Sequence, residues 1–299
     1  DQWLLEALDE YPNLLLESEV LDALRFPGEK VVLAENLSAA NAVLLDSRSW
    51  ALRWSRNVMP KEALPLAEIR WVKASDIIDW KELQEWTANV ESGGRIAELL
   101  IIDDEHSVVT YRSKFHQPKG SLNNPFRELD NEQRRSIAHA WSDSRETSEG
   151  TWLDIDPENW HLNGIGIRLE GGIWLTEIEG RIVSRIINPT MPNPTGQLGR
   201  VVELLADLLS KGVAIRSGFK YGTRWRAYAG AVGGEHAPWL IVPVEEAPTN
   251  WGEACLSARL AANVNKLWLC AFVTGNNEWR YLAIERPPSD SRWTNPVKH

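Results

Sequence analysis

An internal repeat is the feature that most limits how this chain can fold. Residues 28–115 align with residues 199–286 without a gap. The paired residues include Gly28 with Gly199, Val31 with Val202, Arg53-Trp54 with Arg224-Trp225, and Asp79-Trp80 with Asn250-Trp251. Self-similarity at a fixed separation indicates one supersecondary unit that is used twice. The sequence therefore predicts two related units in tandem.

The distribution of apolar residues and turn formers predicts a mixed α+β fold, in which each unit is a small mixed sheet flanked by helices. Helices are predicted over about 1–26, 29–39, 80–92, 127–142, 198–210 and 251–264. Strands are predicted within 42–74 and over 95–102, 107–114, 164–170, 172–186, 213–219, 223–229, 239–244, 266–273 and 279–285. Turn formers in residues 116–126 predict a linker. We therefore expect one unit at 1–115, a linker and small α/β subdomain at 116–196, and a second unit at 197–299.

The chain is acidic overall but has one basic strip. Its formal net charge of −10 argues against a protein that coats nucleic acid nonspecifically. No acidic residue occurs between Leu208 and Gly234, a stretch that contains Lys211, Arg216, Lys220, Arg224 and Arg226. This distribution is typical of an enzyme that acts on selected RNA.

Membrane and zinc patterns are not found in the sequence. No apolar run approaches the roughly 20 residues that a membrane helix needs. The two cysteines, Cys255 and Cys270, have no zinc-binding spacing. The sequence predicts a cytoplasmic protein with reduced cysteines and no membrane partner.

Three side chains of the second unit could cleave RNA together without a metal ion. In such a reaction the 2′-hydroxyl attacks the adjacent phosphorus, which requires a base, an acid and positive charge near the phosphorane. His236 can give a proton near neutral pH because an unperturbed histidine has a pKa of about 6.5. Lys266 is a compact charge suited to a developing oxyanion. Tyr228 would be the base, which requires nearby cations such as Lys266, Arg224 or Arg226, because the reference pKa of tyrosine is about 10.

The same stretch resembles the catalytic repeat of the archaeal tRNA-splicing endonuclease family. The resemblance is carried by GFKYGTRWRAY at 218–228, by His236 and the strand after it, and by ARLAANVNK at 258–266. The chain departs from the family pattern at Ala227, at residues 237–239 and at Ala262-Asn263. The resemblance implies the roles given above for Tyr228, His236 and Lys266. It also implies cleavage of precursor tRNA at bulge–helix–bulge junctions, with 2′,3′-cyclic phosphate and 5′-hydroxyl ends and no metal or other cofactor.

The resemblance further implies that arginine side chains grip the unpaired bases of the RNA. Arg259 lies seven residues before Lys266, as the family's helix arginine does, and Arg280 and Arg286 are candidates for the opposite side. Arg224 and Lys220 belong to the basic strip and are further candidates for contact with RNA.

The two copies differ in the functional residues that their sequences contain. Tyr228, His236 and Lys266 align with Asn57, Pro65 and Arg95, so the first copy lacks the catalytic groups. The first copy instead has Asp103-Asp104-Glu105, where the second has Gly275-Asn276-Asn277. In the family an acidic loop at this place docks into a partner catalytic unit. The resemblance therefore implies the two-repeat, homodimeric form, with a structural first repeat that docks and a catalytic second repeat.

Two other functions remain open on the sequence. A metal-dependent nuclease would need two or three carboxylates that converge on Mg²⁺. The candidates in the second unit, Glu235, Glu245 and Glu246, lie in predicted loops or at a strand end. A non-catalytic scaffold subunit of an RNA-processing complex would tolerate alanine at Tyr228, His236 and Lys266 without any effect beyond stability.

Overall fold

The computed structural model describes residues 2–37 and 44–287. The mixed α+β class is confirmed. The helices are α1 (Gln2–Glu10), α2 (Leu14–Arg25), α3 (Trp80–Ser92), α4 (Asn131–Ser142), α5 (Glu177–Ile187), α6 (Gly196–Ser210) and α7 (Trp251–Asn263). The strands are β1 (Lys30–Leu33), β2 (Ala51–Trp54), β3 (Ala67–Lys73), β4 (Ile96–Ile102), β5 (Val108–Phe115), β6 (Arg145–Glu146), β7 (Thr151–Leu153), β8 (Ile167–Leu169), β9 (Gly172–Leu175), β10 (Ala214–Ser217), β11 (Trp225–Tyr228), β12 (Trp239–Pro243), β13 (Leu267–Val273) and β14 (Trp279–Glu285).

The chain forms two compact units. Among the described residues, the first unit contains 2–37, 44–115, 247–264 and 282–287, and the second contains 116–246 and 265–281. The helix α7 therefore belongs to the first unit, although β12 and β13 on either side of it in the sequence belong to the second. The residues that the sequence predicts as catalytic, Tyr228, His236 and Lys266, all lie in the second unit.

In the first unit, strands β1 to β5 form consecutive neighbours in a mixed sheet. The pairs β1–β2, β2–β3 and β4–β5 are antiparallel, whereas β3 and β4 are parallel. A parallel pair needs a crossover, and α3 supplies it. Asp79 caps this helix by accepting a hydrogen bond from the Glu82 backbone N–H at 2.9 Å. Side chains of α2, including Val20 and Leu24, pack on the sheet in a buried apolar cluster.

The second unit contains two sheets. Strands β10, β11 and β12 are antiparallel neighbours, and β12 pairs with β13 in parallel. The smaller antiparallel sheet has the order β6-β7-β9-β8. The helices α4 and α5 pack together beside this small sheet and begin with capping boxes at Asp130 and Thr176.

Two predictions of local structure are wrong. The helix predicted over 29–39 is replaced by β1 and by a short 3-10 helix at Ala34–Asn36, while residues 38–39 lie outside the described part. Consecutive Val31 and Val32 favour a strand because β-branched side chains fit a pleated surface. The strand predicted over 172–186 ends at Leu175, because the capping box of Thr176 and Glu179 begins α5 there.

The helices and strands of the two units match the ungapped repeat alignment from α3 onward, but they do not match it before β3. The alignment places α3 on α7 and β4 on β13 with identical bounds. Before β3 the ungapped alignment is wrong, because it places the strand β1 on the helix α6. The similar order of elements supports two copies, with a change in spacing before β3.

The predicted long strand region within 42–74 contains two strands with a loop between them. Residues 42–43 lie outside the described part, and only β2 and β3 are strands in the remainder.

Cys255 and Cys270 are free thiols, and burial raises the pKa of Cys255 to about 11. Within residues 2–37 and 44–287, no helix has the length and apolar character needed to span a bilayer.

Candidate active site

Tyr228 is held at the end of β11 in the second unit. It lies opposite Ala214 of β10, and only 9% of its surface is exposed. Its ring belongs to a small buried cluster with Ala214, Ala237 and the partly buried Leu122. The strand pairing and this cluster together fix the position of the tyrosine.

His236 lies in the loop that follows Tyr228. The loop turns at Gly233, whose φ of 99° is a conformation that glycine adopts without strain, and the Gly234 backbone N–H donates to the Ala231 carbonyl oxygen at 3.3 Å. His236 is exposed, whereas the next residue, Ala237, is 3% exposed. The buried alanine anchors the loop and leaves the imidazole accessible.

Lys266 lies immediately before β13. Its ammonium donates a hydrogen bond to the carbonyl oxygen of Ala237 at 2.6 Å. The same ammonium lies 5.8 Å from the ring centroid of Tyr221, within the range of a cation–π contact. The lysine side chain is partly buried, so both contacts restrict its position.

Ala237 adjoins each of the three predicted catalytic residues. Its side chain packs in the cluster that contains Tyr228, its carbonyl oxygen accepts from Lys266, and it directly follows His236. The sheet register adds a second relation. Paired residues share a face and alternate residues return to it, so the pairs Arg226–Leu240 and Leu240–Trp268 place Tyr228 and Lys266 on the same side of the sheet.

The turn between β10 and β11 has a fixed shape. A side chain at Gly218 would place its Cβ 2.4 Å from the Thr223 hydroxyl oxygen, and Gly222 has a φ of 62°. The Gly218 N–H donates to the Arg224 carbonyl oxygen at 2.9 Å, and the Tyr221 N–H donates to the Gly218 carbonyl oxygen at 2.8 Å. The two glycines of the GFKYG sequence thus permit the conformation that presents Tyr221 to Lys266.

Part of the predicted linker contributes to this region. The Ser121 N–H donates to the Ala229 carbonyl oxygen at 2.7 Å, next to Tyr228, and the Leu122 N–H donates to the Gly212 carbonyl oxygen at 3.1 Å. A Cβ on Gly120 would lie 2.0 Å from the Gly212 carbonyl oxygen. Residues 120–122 therefore pack closely against residues that flank β10 and β11, a contact that their turn-forming composition does not reveal.

Two arginines of the basic strip face each other on the Tyr228 side of the sheet. Arg216 of β10 pairs with Arg226 of β11. Arg216 donates to the Gly166 carbonyl oxygen at 2.9 Å, and Arg226 donates to the Ser217 carbonyl oxygen at 2.8 Å. Burial lowers the pKa of Arg216, while the negative charge of Glu179 acts in the opposite direction. Arg216 is thus a partly buried cation beside the site.

The predicted RNA-binding residues lie in different settings. Arg224 forms an ion pair with Glu246, with 2.8 Å from its Nε to each carboxylate oxygen, whereas Lys220 and Arg280 of the second unit are exposed. In the first unit, Arg259 and Arg286 are exposed, and their positive charges oppose the increase in the pKa of Cys255 that burial causes. The second unit therefore brings Lys220 and Arg224 into the turn region of the site.

The acidic turn of the first unit uses one of its carboxylates internally. The Asp103 carboxylate accepts from the backbone N–H groups of Glu105 at 3.0 Å and Ser107 at 2.8 Å. Asp104 and Glu105 are exposed. Asp103 therefore shapes the turn, and the other two acids are presented to solvent.

The first unit has buried ion pairs on the strands that correspond to those of the candidate site. By sheet register, Trp54 takes the place of Tyr228 and Arg53 that of Ala227, because Arg53 pairs with Ala67 of β3 as Ala227 pairs with Trp239 of β12. Arg53 is 1% exposed and donates twice to Glu98, at 2.8 and 2.7 Å. Arg95, which aligns with Lys266, donates to Glu68 at 2.8 Å from Nε. Both arginine side chains thus form ion pairs with buried carboxylates.

Within the part of the chain that the structure describes, no group of three or more His, Cys, Asp or Glu side chains is arranged to hold a metal ion. Glu246, one of the acids weighed for a metal site, is paired with Arg224, and Glu245 accepts from Arg200 at 2.6 Å.

Comparison with known proteins identifies the same segment. Residues 201–281 match the family model described as tRNA intron endonuclease, catalytic C-terminal domain. The matched range includes β10 to β13, the helix α7, and Tyr228, His236 and Lys266.

Three relatives, each named tRNA-splicing endonuclease, are similar to parts of the chain. The protein of Picrophilus torridus is 23% identical over 219 residues, which are 73% of this chain and 63% of the relative. The protein of Thermoplasma volcanium is 34% identical over 88 residues, which are 29% of each chain. That of Methanothermobacter thermautotrophicus is 33% identical over 82 residues, or 26% of this chain and 48% of the relative. The matches thus span from about a third to less than two thirds of the relatives' lengths.

Proposed function

We propose that this chain is an endonuclease that removes introns from precursor tRNA, because residues 201–281 match the family model of the tRNA intron endonuclease catalytic domain. The observation that carries the proposal is the role of Ala237, which connects Tyr228, His236 and Lys266. The substrate positions would be the bulge–helix–bulge junctions that the family resemblance implies.

The proposed reaction is a transesterification within the RNA. Tyr228, as the phenolate, takes the proton of the 2′-hydroxyl, and the 2′-oxygen forms a bond to the adjacent phosphorus. The bond from phosphorus to the 5′-oxygen breaks, and His236 gives that oxygen its proton. The products are a 2′,3′-cyclic phosphate and a 5′-hydroxyl, and no water or metal ion enters the balance.

Lys266 would stabilise the charge on the phosphorane. An ammonium group has three N–H donors, and the bond to Ala237 uses one of them. The remaining donors are available to the nonbridging oxygens of the phosphate. Preorganised positive charge of this kind is commonly the largest single contribution to such a reaction.

We further propose that two copies of the chain form the active enzyme. The exposed acids Asp104 and Glu105 support a docking role for the turn, with Asp103 holding its shape. The first repeat, residues 1–115, would be structural, residues 116–196 the linker and small subdomain, and residues 197–299 the catalytic repeat. The RNA would be contacted by five basic side chains: Arg259, Arg280, Arg286, Arg224 and Lys220. For Arg224, the ion pair with Glu246 would open or turn toward the phosphates.

The test is cleavage of a short bulge–helix–bulge RNA by the full chain in excess EDTA, beside a fully paired RNA of equal length. We expect cuts only in the bulges, and 3′ ends that resist ligation until the cyclic phosphate is opened and the resulting phosphate is removed. Cleavage that stops in EDTA and returns with Mg²⁺ would favour the metal-dependent nuclease. Failure to cut under either condition, with intact binding of RNA, would favour the scaffold subunit.

A further inference from the structure

An exposed phenylalanine lies in the turn that contacts the candidate catalytic lysine. Phe219 is 88% exposed, although it belongs to the hydrogen-bonded turn that also contains Tyr221. Exposing a large apolar side chain on a rigid turn gives no folding stability, since the hydrophobic effect rewards burial. Single exposed apolar residues are common on proteins, so exposure alone decides nothing. Phe219 differs from such residues because it lies in the same turn as Tyr221, which contacts Lys266.

The geometry of the turn separates the two aromatic rings. Phe219–Tyr221 is a 3-10 helix, in which successive residues are about 120° apart around the axis, so rings two residues apart point in different directions. Tyr221 points to the Lys266 ammonium, which lies 5.8 Å from its ring centroid. Phe219 therefore points away from Lys266 but remains within one short helical turn of a residue that contacts it.

The turn cannot easily rearrange to bury Phe219. The Phe219 N–H donates to the Ser217 hydroxyl at 3.3 Å, and the Phe219 carbonyl oxygen accepts from the Gly222 N–H at 3.2 Å. Gly218 is surrounded closely by Thr223, as described above. The ring is thus presented from a backbone that is already fixed.

The surroundings of Phe219 carry positive charge. Lys220 follows it and is exposed, Arg226 donates to the adjacent Ser217 carbonyl oxygen, and the sequence from Leu208 to Gly234 contains no acid. A fixed aromatic face among cations is the combination that binds single-stranded nucleic acid, in which bases stack while phosphates meet basic groups.

We propose that Phe219 is a base-stacking residue that receives an unpaired base of the RNA beside the cleavage site. The proposal rests on the proposed function, because it takes the substrate to be an RNA with unpaired nucleotides. Stacking contributes to binding rather than to proton transfer. Its loss should therefore weaken RNA binding and raise KM, while kcat at saturating RNA stays near that of the wild type.

The experiment measures binding without cleavage. The probe is a bulge–helix–bulge RNA with 2′-O-methyl groups at both junctions and 2-aminopurine in one bulge. The full chain is compared with Phe219→Leu, which keeps an apolar side chain without an aromatic face, and with Phe219→Tyr, which keeps the ring. The control is Met191→Ala, at an apolar residue of the same unit that is 42% exposed.

We expect Phe219→Leu to bind about 5- to 150-fold more weakly, which corresponds to the usual range for one stacked base, and to lose the quenching of 2-aminopurine. Phe219→Tyr and Met191→Ala should resemble the wild type. Unchanged affinity and quenching in Phe219→Leu, while the wild type prefers bulged to fully paired RNA, would overturn the stacking role and leave the proposed function standing. A change of sedimentation in Phe219→Leu would also overturn it, because another copy would then cover the ring. A wild type that binds bulged and fully paired RNA equally well would contradict the proposed function itself.

Discussion

The ammonium of Lys266 is hydrogen-bonded to the carbonyl oxygen of Ala237 at 2.6 Å, which ties the start of β13 to the loop that carries His236. The loop is otherwise held by the burial of Ala237 beside Tyr228. A single alanine thus contacts Lys266, packs in the cluster of Tyr228 and directly follows His236. Changes to the groups around Lys266 should therefore affect catalysis more than folding.

The contact between Tyr221 and Lys266 leads to the first prediction. Tyr221→Leu removes the ring face and should lower the single-turnover cleavage rate by about 2- to 30-fold, because a cation–π contact is worth about 0.5–2 kcal/mol. Tyr221→Phe keeps the face and should retain the rate. Both variants are compared at saturating RNA, with unfolding in urea as a check on stability. Equal cleavage rates for the leucine and phenylalanine variants would show that the ring face of Tyr221 does not contribute to cleavage.

The close approach of Gly120 and Gly212 predicts that residues 120–122 contribute to stability. Gly120→Ala places a Cβ 2.0 Å from the Gly212 carbonyl oxygen, so the segment must move away from β10 and β11. We expect a loss of about 1–3 kcal/mol in the free energy of unfolding, measured in urea. The matched control is Gly275→Ala, where no atom lies within 4 Å of the added Cβ. A stable Gly120→Ala variant would mean that the linker does not pack against Gly212.

Tyr281 predicts a specific pH dependence of stability. Burial, followed by the negative charge of Asp207, raises its pKa well above the usual value, and its hydroxyl donates to the Asp207 carboxylate. The folded state thus favours the neutral phenol. This contribution to stability is complete below the unfolded pKa of about 10 and decreases as the pH rises beyond it.

Tyr281→Phe should therefore be less stable than the wild type at pH 8, by about 1.5–3 kcal/mol for a hydrogen bond to a charged group. The difference should shrink as the pH rises above about 10, because only the wild type must then retain a proton on this residue. Urea unfolding of both proteins at several pH values measures it. A difference that stays constant up to pH 11 would exclude the buried phenol as its cause.

Charge reversal of the acidic turn tests the proposed dimer. Asp104→Lys combined with Glu105→Lys leaves Asp103 and its turn intact, and should weaken self-association in sedimentation and lower cleavage together. The control reverses two exposed acids of other turns, Glu149→Lys and Glu170→Lys, which changes net charge equally. Unchanged sedimentation and full activity of the turn variant would contradict docking through this loop.

The sequence predicts the later part of each repeat well. The predicted helices at 80–92 and 251–264 and the strands at 95–102 and 266–273 differ from α3, α7, β4 and β13 by at most one residue at either end. The capping residues Asp79 and Asn250 begin the two helices, and apolar runs mark the two strands. Local signals of this strength need no tertiary information.

The errors and omissions have physical causes. The helix predicted at 29–39 rested on local apolar residues, which fit the strand β1 as well. The ungapped alignment placed β1 on α6 because it cannot represent a loop that differs in length between copies. The contacts of Ala237, Tyr221 and Gly120 depend on pairing between distant segments, which periodicity does not encode. The sequence alone could find the candidate catalytic residues but not the groups that hold them in place.

The measurement that tests the central claim most directly is single-turnover cleavage in EDTA by His236→Ala, using a bulge–helix–bulge RNA and the same RNA with a 5′-sulfur at the scissile junction. A sulfur leaving group needs little help from an acid. If His236 is the general acid, the variant should lose about 10²- to 10⁴-fold on the normal RNA. It should recover most of that loss on the thio-substituted RNA. Full activity of the variant on the normal RNA, or an equal loss on both, would contradict the account.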